Sequence, residues 1–234
     1  MRLKSVVVLT GAGISAESGV RTFRDADGLW EEHRIEDVAT PEGFFRDREM
    51  VQRFYNDRRR MLGGVRPNAA HHALAGLENG WEGEFLLVTQ NVDDLHDRAG
   101  SRKLVHMHGE LLKVRCLRCH HVHAWEEDLD DGSLCPACAT LGELRPHIVW
   151  FGEMPLEMDR IHDALERCDI FLSIGTSGMV YPAAGFVEAV PRRARTIELN
   201  VESTVSSGAF LEHRVGPATE VVPKVVEELL SRQF

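Results

Sequence analysis

The chain has 234 residues, of which 43% are hydrophobic and 27% charged, and its formal net charge at pH 7 is −10. That length can bury a substantial core in one large domain, and the composition is that of an ordinary globular protein without an apolar run long enough to span a membrane. The negative charge argues against nucleic acid as the default partner.

The first segment, MRLKSVVVLTG, combines basic residues with an apolar run and is therefore weighed as a secretory signal. The run is too short, and it ends in a glycine-rich turn instead of a small-residue cleavage site. We therefore expect a cytoplasmic protein that has no membrane partner.

Apolar, β-branched runs alternate with helical patterns along the chain. This alternation predicts an α/β fold with a doubly wound, mostly parallel sheet that binds ligands at the carboxyl ends of its strands. The predicted strands are 5–10, 85–89, 104–107, 170–174 and 196–199. The predicted helices are 41–62, 68–77, 155–167, 182–190 and 219–231.

Two segments interrupt the alternation, one helical and rich in arginine (about 35–62) and one that carries the cysteines (about 111–144). We interpret both as insertions that form a smaller lobe within a single domain of residues 1–234. The remaining residues, about 1–34, 63–110 and 145–234, are then a Rossmann-like lobe, and the main cleft lies between the two.

The first predicted strand runs directly into Gly11, Gly13 and Ala16, which fit the pattern G-x-G-x-x-G/A of a dinucleotide-binding turn. Glycines let backbone amides approach a pyrophosphate, although an ordinary strand–turn–helix junction is an equally good explanation of this motif alone. A long polar loop, SGVRTFRDADGLW, follows in place of the second strand that a dehydrogenase needs before its ribose-binding acid. Hydride transfer is therefore disfavoured.

Three consecutive arginines, 58–60, lie in the predicted helix 41–62 and could be only a solvated run of charge. At about 100° per residue, one stripe of the helix consists of Val51, Tyr55, Arg58 and Leu62. Arg59 is expected towards the edge of this stripe, and Arg60 points away. Because a buried guanidinium normally has a partner or a function, Arg58 is a candidate binding residue.

The second and third predicted strands both end in polar residues. A helix cap would explain one residue of Gln90-Asn91-Val92-Asp93, but not all three polar ones. Strand alternation places His106 and His108 on one face, with Gly109 allowing a turn directly afterwards. A histidine at a strand end beside the cleft indicates a functional role.

Four of the five cysteines follow the spacing C-x₂-C-x₁₅-C-x₂-C, typical of a zinc ribbon. The predicted ligands are Cys116, Cys119, Cys135 and Cys138. Four thiolates close a tetrahedral shell, so the expected Zn²⁺ ion is structural. A redox role and a nucleic-acid-reading ribbon are disfavoured by the two-pair spacing and by the acidic run EEDLDD. The nearby His120, His121 and His123 could compete as ligands but are expected at the surface, and Cys168 is expected to be a buried hydrophobe.

The last two predicted strands are followed by 175–177 and 200–202, which we expect to contact a cofactor at the same edge of the sheet.

Seven motifs occur in order along nearly the whole chain: GAGISAESGVRTFR, TQNVD, HMHGE, the four cysteines, VWFGEMP, GTSG and ELN. As a set they are highly specific, and through them the chain resembles the sirtuin family, especially its bacterial CobB-type members. The resemblance implies NAD-dependent protein-lysine deacylation. Arg21-Thr22 stands where Pro-Asp is frequent in the family, a variant that recurs in CobB-type relatives.

The resemblance also implies a site. Residues 11–30 would wrap NAD⁺, 90–93 would surround the nicotinamide and its ribose, and later strand ends would hold the adenosine half. The implied NAD-binding residues are Gly11, Ala12, Gly13, Ser15, Ala16, Glu17, Thr22, Phe23, Arg24, Trp30, Gln90, Asn91, Val92, Asp93, Gly175, Thr176, Ser177, Asn200, Val201, Glu202 and Ala218. His108 matches the family's catalytic histidine, and Asn91 is implied as a second catalytic residue.

Tyr55 and Arg58 match the Tyr-x-x-Arg of sirtuins that accept acidic acyl groups, in which the pair binds the distal carboxylate of succinyl-lysine. We therefore predict removal of both acetyl and succinyl groups in one site. The peptide is expected to lie extended against backbone near 149–153 and 178–181. The expected substrate-binding residues are Tyr55, Arg58, Val149, Phe151, Gly152 and Glu153.

The implied chemistry explains these residue types. The anomeric carbon of the nicotinamide ribose is a strong electrophile for a weakly nucleophilic acyl oxygen, and Asn91 with Asp93 can grip the carboxamide of the departing ring. His108 then takes a proton from a ribose hydroxyl as general base, while Phe23 excludes water. The products are free lysine, nicotinamide and O-acyl-ADP-ribose.

Two other functions fit parts of the pattern: an NAD(P)-dependent dehydrogenase of Rossmann type, and a non-catalytic NAD-sensing zinc-ribbon protein. The deacylase predicts nicotinamide release that depends on acyl-lysine, and its partners are acylated lysine side chains of proteins. No nucleic-acid partner is expected, and a monomer is compatible with the sequence.

Overall fold

The computed structural model describes residues 4–21, 29–30 and 33–231, with only the backbone of Leu29–Trp30 included. A six-stranded sheet is the framework. Its strands are β1 (Val6–Thr10), β4 (Phe85–Thr89), β5 (Leu104–His106), β9 (Ile170–Ile174), β10 (Arg195–Asn200) and β11 (Glu212–Val215). Their order is β11-β10-β9-β1-β4-β5, and every neighbouring pair is parallel. The parallel, doubly wound sheet predicted from the sequence is confirmed.

Helices cover both faces of this sheet, which explains why β1 and β4 are apolar up to their last residue. Val6 and Val8 of β1 pack towards α4 (Ala69–Gly80) and α8 (Ala218–Ser231). Val7 and Leu9 point the other way, into a cluster with residues of α6 (Met158–Glu166) and α7 (Phe186–Ala189). The short α5 (Leu95–Ala99) follows β4.

The smaller lobe consists of helices and a three-stranded antiparallel sheet. The helices are α1 (Ile35–Val38), α2 (Pro41–Arg46) and α3 (Arg48–Leu62), preceded by the two-residue strands β2 (Leu29–Trp30) and β3 (His33–Arg34). The sheet is formed by β6 (Gly109–Cys116), β7 (Val122–Ala124) and β8 (Leu144–Ile148), with β6 in the centre. We call residues 109–148 the ribbon. They extend slightly beyond the predicted insertion of 111–144.

Several boundaries differ from the prediction for local reasons. The predicted helix 41–62 is two helices, because Asp47 ends α2 and its side chain accepts a hydrogen bond from the Met50 amide as the N-cap of α3. The predicted helix 182–190 is a 3₁₀ turn followed by the four residues of α7. Strand β11 was not predicted, because an edge strand with the sequence EHRV has no apolar run.

None of the helices within the described ranges is long and apolar enough to cross a membrane.

Candidate active site

A cleft of about 570 Å³ lies between the small lobe and the carboxyl ends of the parallel strands. Strand ends β1, β4, β5 and β9 contribute one wall, and α3 with residues 148–153 contributes the other. The predicted site residues that line it are Gly11, Ala12, Gly13, Tyr55, Arg58, Gln90, Asn91, Val92, Asp93, His108, Val149, Phe151, Gly152, Glu153, Gly175, Thr176 and Ser177. The fold therefore brings together residues from many of the segments that the motifs singled out.

The glycine turn after β1 packs directly on the turn after β9. The Gly13 amide donates to the Gly175 carbonyl (2.8 Å), and a Cβ at Gly13 would lie 2.7 Å from the Gly175 Cα. Gly175 itself has a φ of 61°, in the left-handed region. The chain continues as two short 3₁₀ turns, Ala12–Ile14 and Ala16–Ser18. Close approach of two backbones is thus one physical reason for the glycines, alongside access to a pyrophosphate.

The side chains of Asn91 and Asp93 are buried and held by Ser15. The side-chain nitrogen of Asn91, Nδ2, donates to Ser15 Oγ (3.1 Å), and Ser15 Oγ donates to Asp93 Oδ2 (3.0 Å). The other Asp93 oxygen accepts from the Leu95 amide, at the start of α5. Burial raises the pKa of Asp93. Ser15 therefore lies behind the cleft lining, where it fixes the two residues expected to hold the nicotinamide.

His108 lies where β5 has ended and the chain turns into the ribbon. Its Nδ1 is 3.1 Å from the Gln90 carbonyl oxygen, which can only accept, so Nδ1 carries the proton and Nε2 is the basic nitrogen. Burial lowers the pKa of His108 below its ordinary value of 6.5, so the neutral ring predominates at pH 7. The residue has the protonation state of a general base.

His106, two residues earlier, has a different environment. Its Nε2 lies 2.9 Å from Asp97 Oδ2, and its Nδ1 lies 3.4 Å from the Asn91 carbonyl oxygen. Burial opposes its protonation, but the hydrogen bond and charge of Asp97 outweigh burial and raise the pKa of His106. The two histidines of the HMHGE motif are therefore tuned in opposite directions.

Tyr55 and Arg58 form part of the small-lobe wall of the cleft. Tyr55 is fully buried, its hydroxyl oxygen accepts from Trp150 Nε1 (2.9 Å), and burial raises its pKa so that the phenol stays neutral. Arg58 is 7% exposed; its Nη1 donates to the Phe54 carbonyl (2.7 Å) and its guanidinium lies over the Phe54 ring. The prediction that Arg58 lies on the buried face of the helix is confirmed.

The sequence analysis placed Arg59 towards the edge of the buried stripe. In the structure Arg59 is itself buried, with only 3% of its surface exposed. Its Nε donates to the Leu111 carbonyl (3.0 Å), and its Nη1 donates to Asn56 Oδ1 (2.7 Å) and to the Glu127 carbonyl (3.1 Å). Burial lowers the pKa of Arg59 to about 10. The helical wheel missed this residue because the ribbon covers a second face of α3.

The segment 149–153 is held from within the protein. Glu153 binds Arg145 at 2.7 and 3.0 Å and accepts from the Trp150 amide (2.8 Å). Burial opposes the ionisation of Glu153, but Arg145 outweighs burial and lowers its pKa. The amides of Val149 and Phe151 also donate to backbone carbonyls of the protein. The Glu153 carboxylate is therefore committed to shaping the segment.

Other predicted NAD-binding residues lie outside the cleft lining. These are Ser15, Ala16, Glu17, Asn200, Val201, Glu202 and Ala218. Asn200 donates to the Thr176 carbonyl (2.8 Å), and Glu17 accepts from the amide (3.0 Å) and hydroxyl (2.7 Å) of Thr219 at the start of α8. Thr22, Phe23 and Arg24 fall outside the described residues, and Trp30 is described only as backbone.

The four predicted zinc ligands converge in the ribbon, with their sulfur atoms all within 4.8 Å of one another. The Sγ atoms of Cys116 and Cys138 are 3.8 Å apart, and those of Cys119 and Cys135 are 3.7 Å apart. Tetrahedral ligation at a Zn–S distance of about 2.3 Å requires sulfur separations of about 3.8 Å. The four thiols fit a structural Zn²⁺ ion.

Each Cys-x-x-Cys pair is followed by a residue in the left-handed region, His120 with a φ of 60° and Ala139 with a φ of 56°. Their amides donate to the carbonyls of Cys116 (3.0 Å) and Cys135 (2.8 Å). The two turns therefore aim both thiols of each pair at one point. Cys168, by contrast, is buried beneath the sheet, and burial raises the pKa of its thiol to about 12.

Comparison with known proteins gives a consistent result. The Sir2 family matches residues 11–182. A protein of Shewanella oneidensis named NAD-dependent protein deacylase is 59% identical over 229 residues, covering 97% of this chain and 94% of the relative. A protein of the same name from Escherichia coli K12 is 60% identical over 233 residues, covering 98% of this chain and 84% of the relative.

Solved structures agree with the sequence matches. A Sir2 homologue in complex with NAD superposes with a TM-score of 0.88 at 40% identity, covering 98% of this chain and 90% of that one. A Sir2 variant with a deacetylated p53 peptide and 3′-O-acetyl-ADP-ribose has a TM-score of 0.83 at 29% identity, covering 97% and 94%.

Proposed function

The chain belongs to the Sir2 family and is an NAD-dependent protein deacylase, and from that membership we propose which of its residues act and which acyl groups it removes. The proposed reaction is removal of acetyl and succinyl groups from lysine side chains of proteins, with release of nicotinamide and O-acyl-ADP-ribose. One cleft serves both acyl groups. The dehydrogenase and NAD-sensing alternatives are not favoured.

The strand-end residues of the cleft are the proposed NAD site. NAD supplies an anomeric carbon whose nicotinamide is a good leaving group. Asn91 and Asp93 hold the nicotinamide carboxamide, and their link through Ser15 keeps both side chains in place before the co-substrate arrives. The turn at Gly11 and Gly13 packs on Gly175 and lines the cleft together with 175–177, and these two turns are the proposed site of the pyrophosphate.

His108 is the proposed general base. The hydrogen bond between Nδ1 and the Gln90 carbonyl fixes the ring with its lone pair on Nε2, and the lowered pKa keeps that nitrogen unprotonated at pH 7. It takes the proton of a ribose hydroxyl as that oxygen becomes the acyl acceptor. Replacement of His108 by alanine removes this base, so formation of O-acyl-ADP-ribose should be lost.

Tyr55 and Arg58 are proposed to bind the distal carboxylate of a succinyl group. The observation that carries this proposal is a cationic side chain, 7% exposed, in the wall of the cleft that also contains His108. A buried guanidinium matches a carboxylate in both charge and bidentate geometry. The neutral Tyr55 hydroxyl, held by Trp150, can donate to the same group.

Substituting Arg58 by methionine tests this assignment. Charge-assisted hydrogen bonds contribute about 1.5–3 kcal/mol each, so we expect kcat/KM for a succinyl-peptide to fall by about 100-fold or more while kcat/KM for the matching acetyl-peptide changes by about twofold at most. Products are quantified by mass spectrometry with NAD present.

Arg53→Met is the matched control, because Arg53 lies on the same helix and pairs with Glu49 on the exposed face. It should leave both substrates unaffected. Equal losses on both substrates in Arg58→Met would assign Arg58 a structural role and overturn the proposal.

The peptide is proposed to lie extended along 149–153 and 178–181. Because the amides of Val149, Phe151 and Glu153 already donate within the protein, peptide pairing would use the carbonyl groups of this segment and the Gly152 amide. The exposed rings of Phe151 and Tyr181 flank this position. We further propose that the protein is a monomer, since residues of one chain line the cleft as far as the structure describes it. We propose that it acts in the cytoplasm, where reducing conditions keep a cysteine tetrad available for zinc.

A further inference from the structure

Two side chains of α3 bind the ribbon through a second face of the helix, adjacent to the face that lines the cleft. Asn56 Nδ2 donates to the Leu129 carbonyl (2.9 Å), and the Leu129 amide donates to Asn56 Oδ1 (2.9 Å). One amide side chain thus satisfies both backbone groups of a single buried residue, in the manner of a strand neighbour. Arg59 completes the contact through Glu127 and Leu111.

Leu129, the ribbon residue that Asn56 binds, is buried in the core of the ribbon. The Leu129 side chain is 1% exposed and packs in one cluster with Val114, Leu144 and two of the predicted zinc ligands, Cys116 and Cys135. Leu129 lies in the middle of the acidic run EEDLDD, whose charged neighbours leave it as the only apolar residue of that run. The run therefore presents its backbone to α3 and its leucine to the ribbon core.

The same helix carries Tyr55 and Arg58, which alternate along the chain with Asn56 and Arg59. One face of α3 lines the cleft, and the adjacent face binds the ribbon. The proposed reacting groups lie outside α3: Asn91 and Asp93 follow β4, and His108 lies between β5 and the first strand of the ribbon. A displacement of α3 would consequently move the acyl-binding pair relative to the reacting groups.

We propose that Asn56 and Arg59 form a clamp by which the ribbon sets the position of Tyr55 and Arg58, and that Asn56 is a positioning residue for the choice of acidic over acetyl groups. The inference rests on the proposed role of Arg58. A bidentate carboxylate contact depends steeply on distance and angle, and a displacement of about 1 Å can lower a rate by about 100-fold. An acetyl group ends before this contact and is insensitive to it.

Asn56→Ala tests the clamp by leaving the Leu129 amide and carbonyl without their side-chain partner. We expect KM for a succinyl-peptide to rise about tenfold, with kcat/KM for the acetyl-peptide and KM for NAD within about twofold of the parent enzyme. Asn56→Asp keeps the acceptor for the Leu129 amide and for Arg59, so its effect should be smaller. It also carries the test if Asn56→Ala fails to fold, as judged by melting temperature and zinc content.

The matched control is Arg60→Ala, which removes an ion pair with Asp128 between the same two segments. Both side chains of that pair are more than half exposed, so its loss should leave the ratio of succinyl to acetyl activity unchanged. Equal losses on both substrates in Asn56→Ala would show a merely structural role and overturn the inference. Full activity of Asn56→Ala on both substrates would overturn it as well.

Arg58→Met, assayed in parallel, separates the two proposals. If Arg58→Met lowers the ratio and Asn56→Ala does not, only the clamp is wrong. If Arg58→Met itself leaves the ratio unchanged, the proposed function fails and the clamp fails with it. In the double variant, Asn56→Ala should cause no further loss of the ratio, because it acts through Arg58; an additive loss would place its action elsewhere and contradict the inference.

Discussion

Two histidines in the same five-residue motif differ in protonation because of their neighbours. His108 faces a backbone carbonyl and has its pKa lowered by burial, whereas His106 faces the Asp97 carboxylate and has its pKa raised. A general base must be neutral to accept a proton, and a positioning histidine need not be. The motif therefore contains one residue suited to catalysis and one suited to structure.

This difference predicts the pH dependence of the reaction. The base form of His108 is lost only as pH falls through its lowered pKa, so kcat/KM should begin to fall at a lower pH than it would for a histidine of ordinary pKa, and once below the pKa of His108 it should decline by about tenfold per pH unit. A stopped assay of nicotinamide release between pH 5 and 8 measures the profile. His106→Asn is the control: if a decline began above pH 6.5 and disappeared in that variant, His106 and not His108 would control the acid limb.

Residue chemistry was predictable where type and spacing carry it, as for His108 and the four cysteines. The partners of the buried helix residues were not. Trp150 reaches Tyr55 across 95 positions of sequence, and Arg59 reaches Glu127 across 68. A helical wheel shows only which face is apolar, so it identified Arg58 and misplaced Arg59.

At the scale of elements, the central strands of the sheet were predicted because burial on both faces makes them largely apolar, as in β1 and β4. Strand β11 lacks that signal, since it lies at the sheet edge and three of its four residues are polar or charged. The break between α2 and α3 was predictable from Asp47, a good N-cap residue three positions before Met50. Turn geometry after β1 was only partly predictable, because the packing partner of its glycines lies at the end of β9.

The junction of these two turns predicts a large effect of Gly13→Ala. The added Cβ would lie 2.7 Å from both the Gly175 Cα and its carbonyl oxygen, which are backbone atoms that cannot rotate away. We expect the free energy of unfolding to fall by about 2 kcal/mol or more and NAD binding to weaken, because the turns must separate. Denaturant unfolding and calorimetric titration with NAD measure both effects.

Gly76→Ala is the matched control, because this glycine lies inside α4 and an added Cβ would meet nothing within 4 Å. It should stabilise the protein by up to about 1 kcal/mol and leave NAD binding unchanged. A Gly13→Ala variant as stable as the parent would contradict the close packing of the two turns.

At the scale of the whole molecule, the two lobes contribute different parts of the proposed site. The sheet lobe places the dinucleotide and its base at strand ends, and the small lobe closes the cleft with α3 and 148–153. The ribbon owes its order to a cluster of few apolar residues around the cysteines, so a bound metal contributes a large share of its stability. The sheet lobe has two extensive apolar clusters of its own.

Removal of zinc should therefore unfold the lobes unequally. After chelation we expect amide hydrogen exchange to lose protection first in β6–β8 and at Leu129, then in α3, while β1, β4 and β9 stay protected. Removal of both acetyl and succinyl groups should be lost, because the small-lobe wall of the cleft, formed by α3 and 148–153, is no longer held in place. Cys138→Ser should reproduce the effect and lower the zinc content, whereas Cys168→Ala, beneath the sheet, should keep one zinc per chain. Full activity and unchanged protection of the ribbon in metal-free protein would contradict a structural role for the ion.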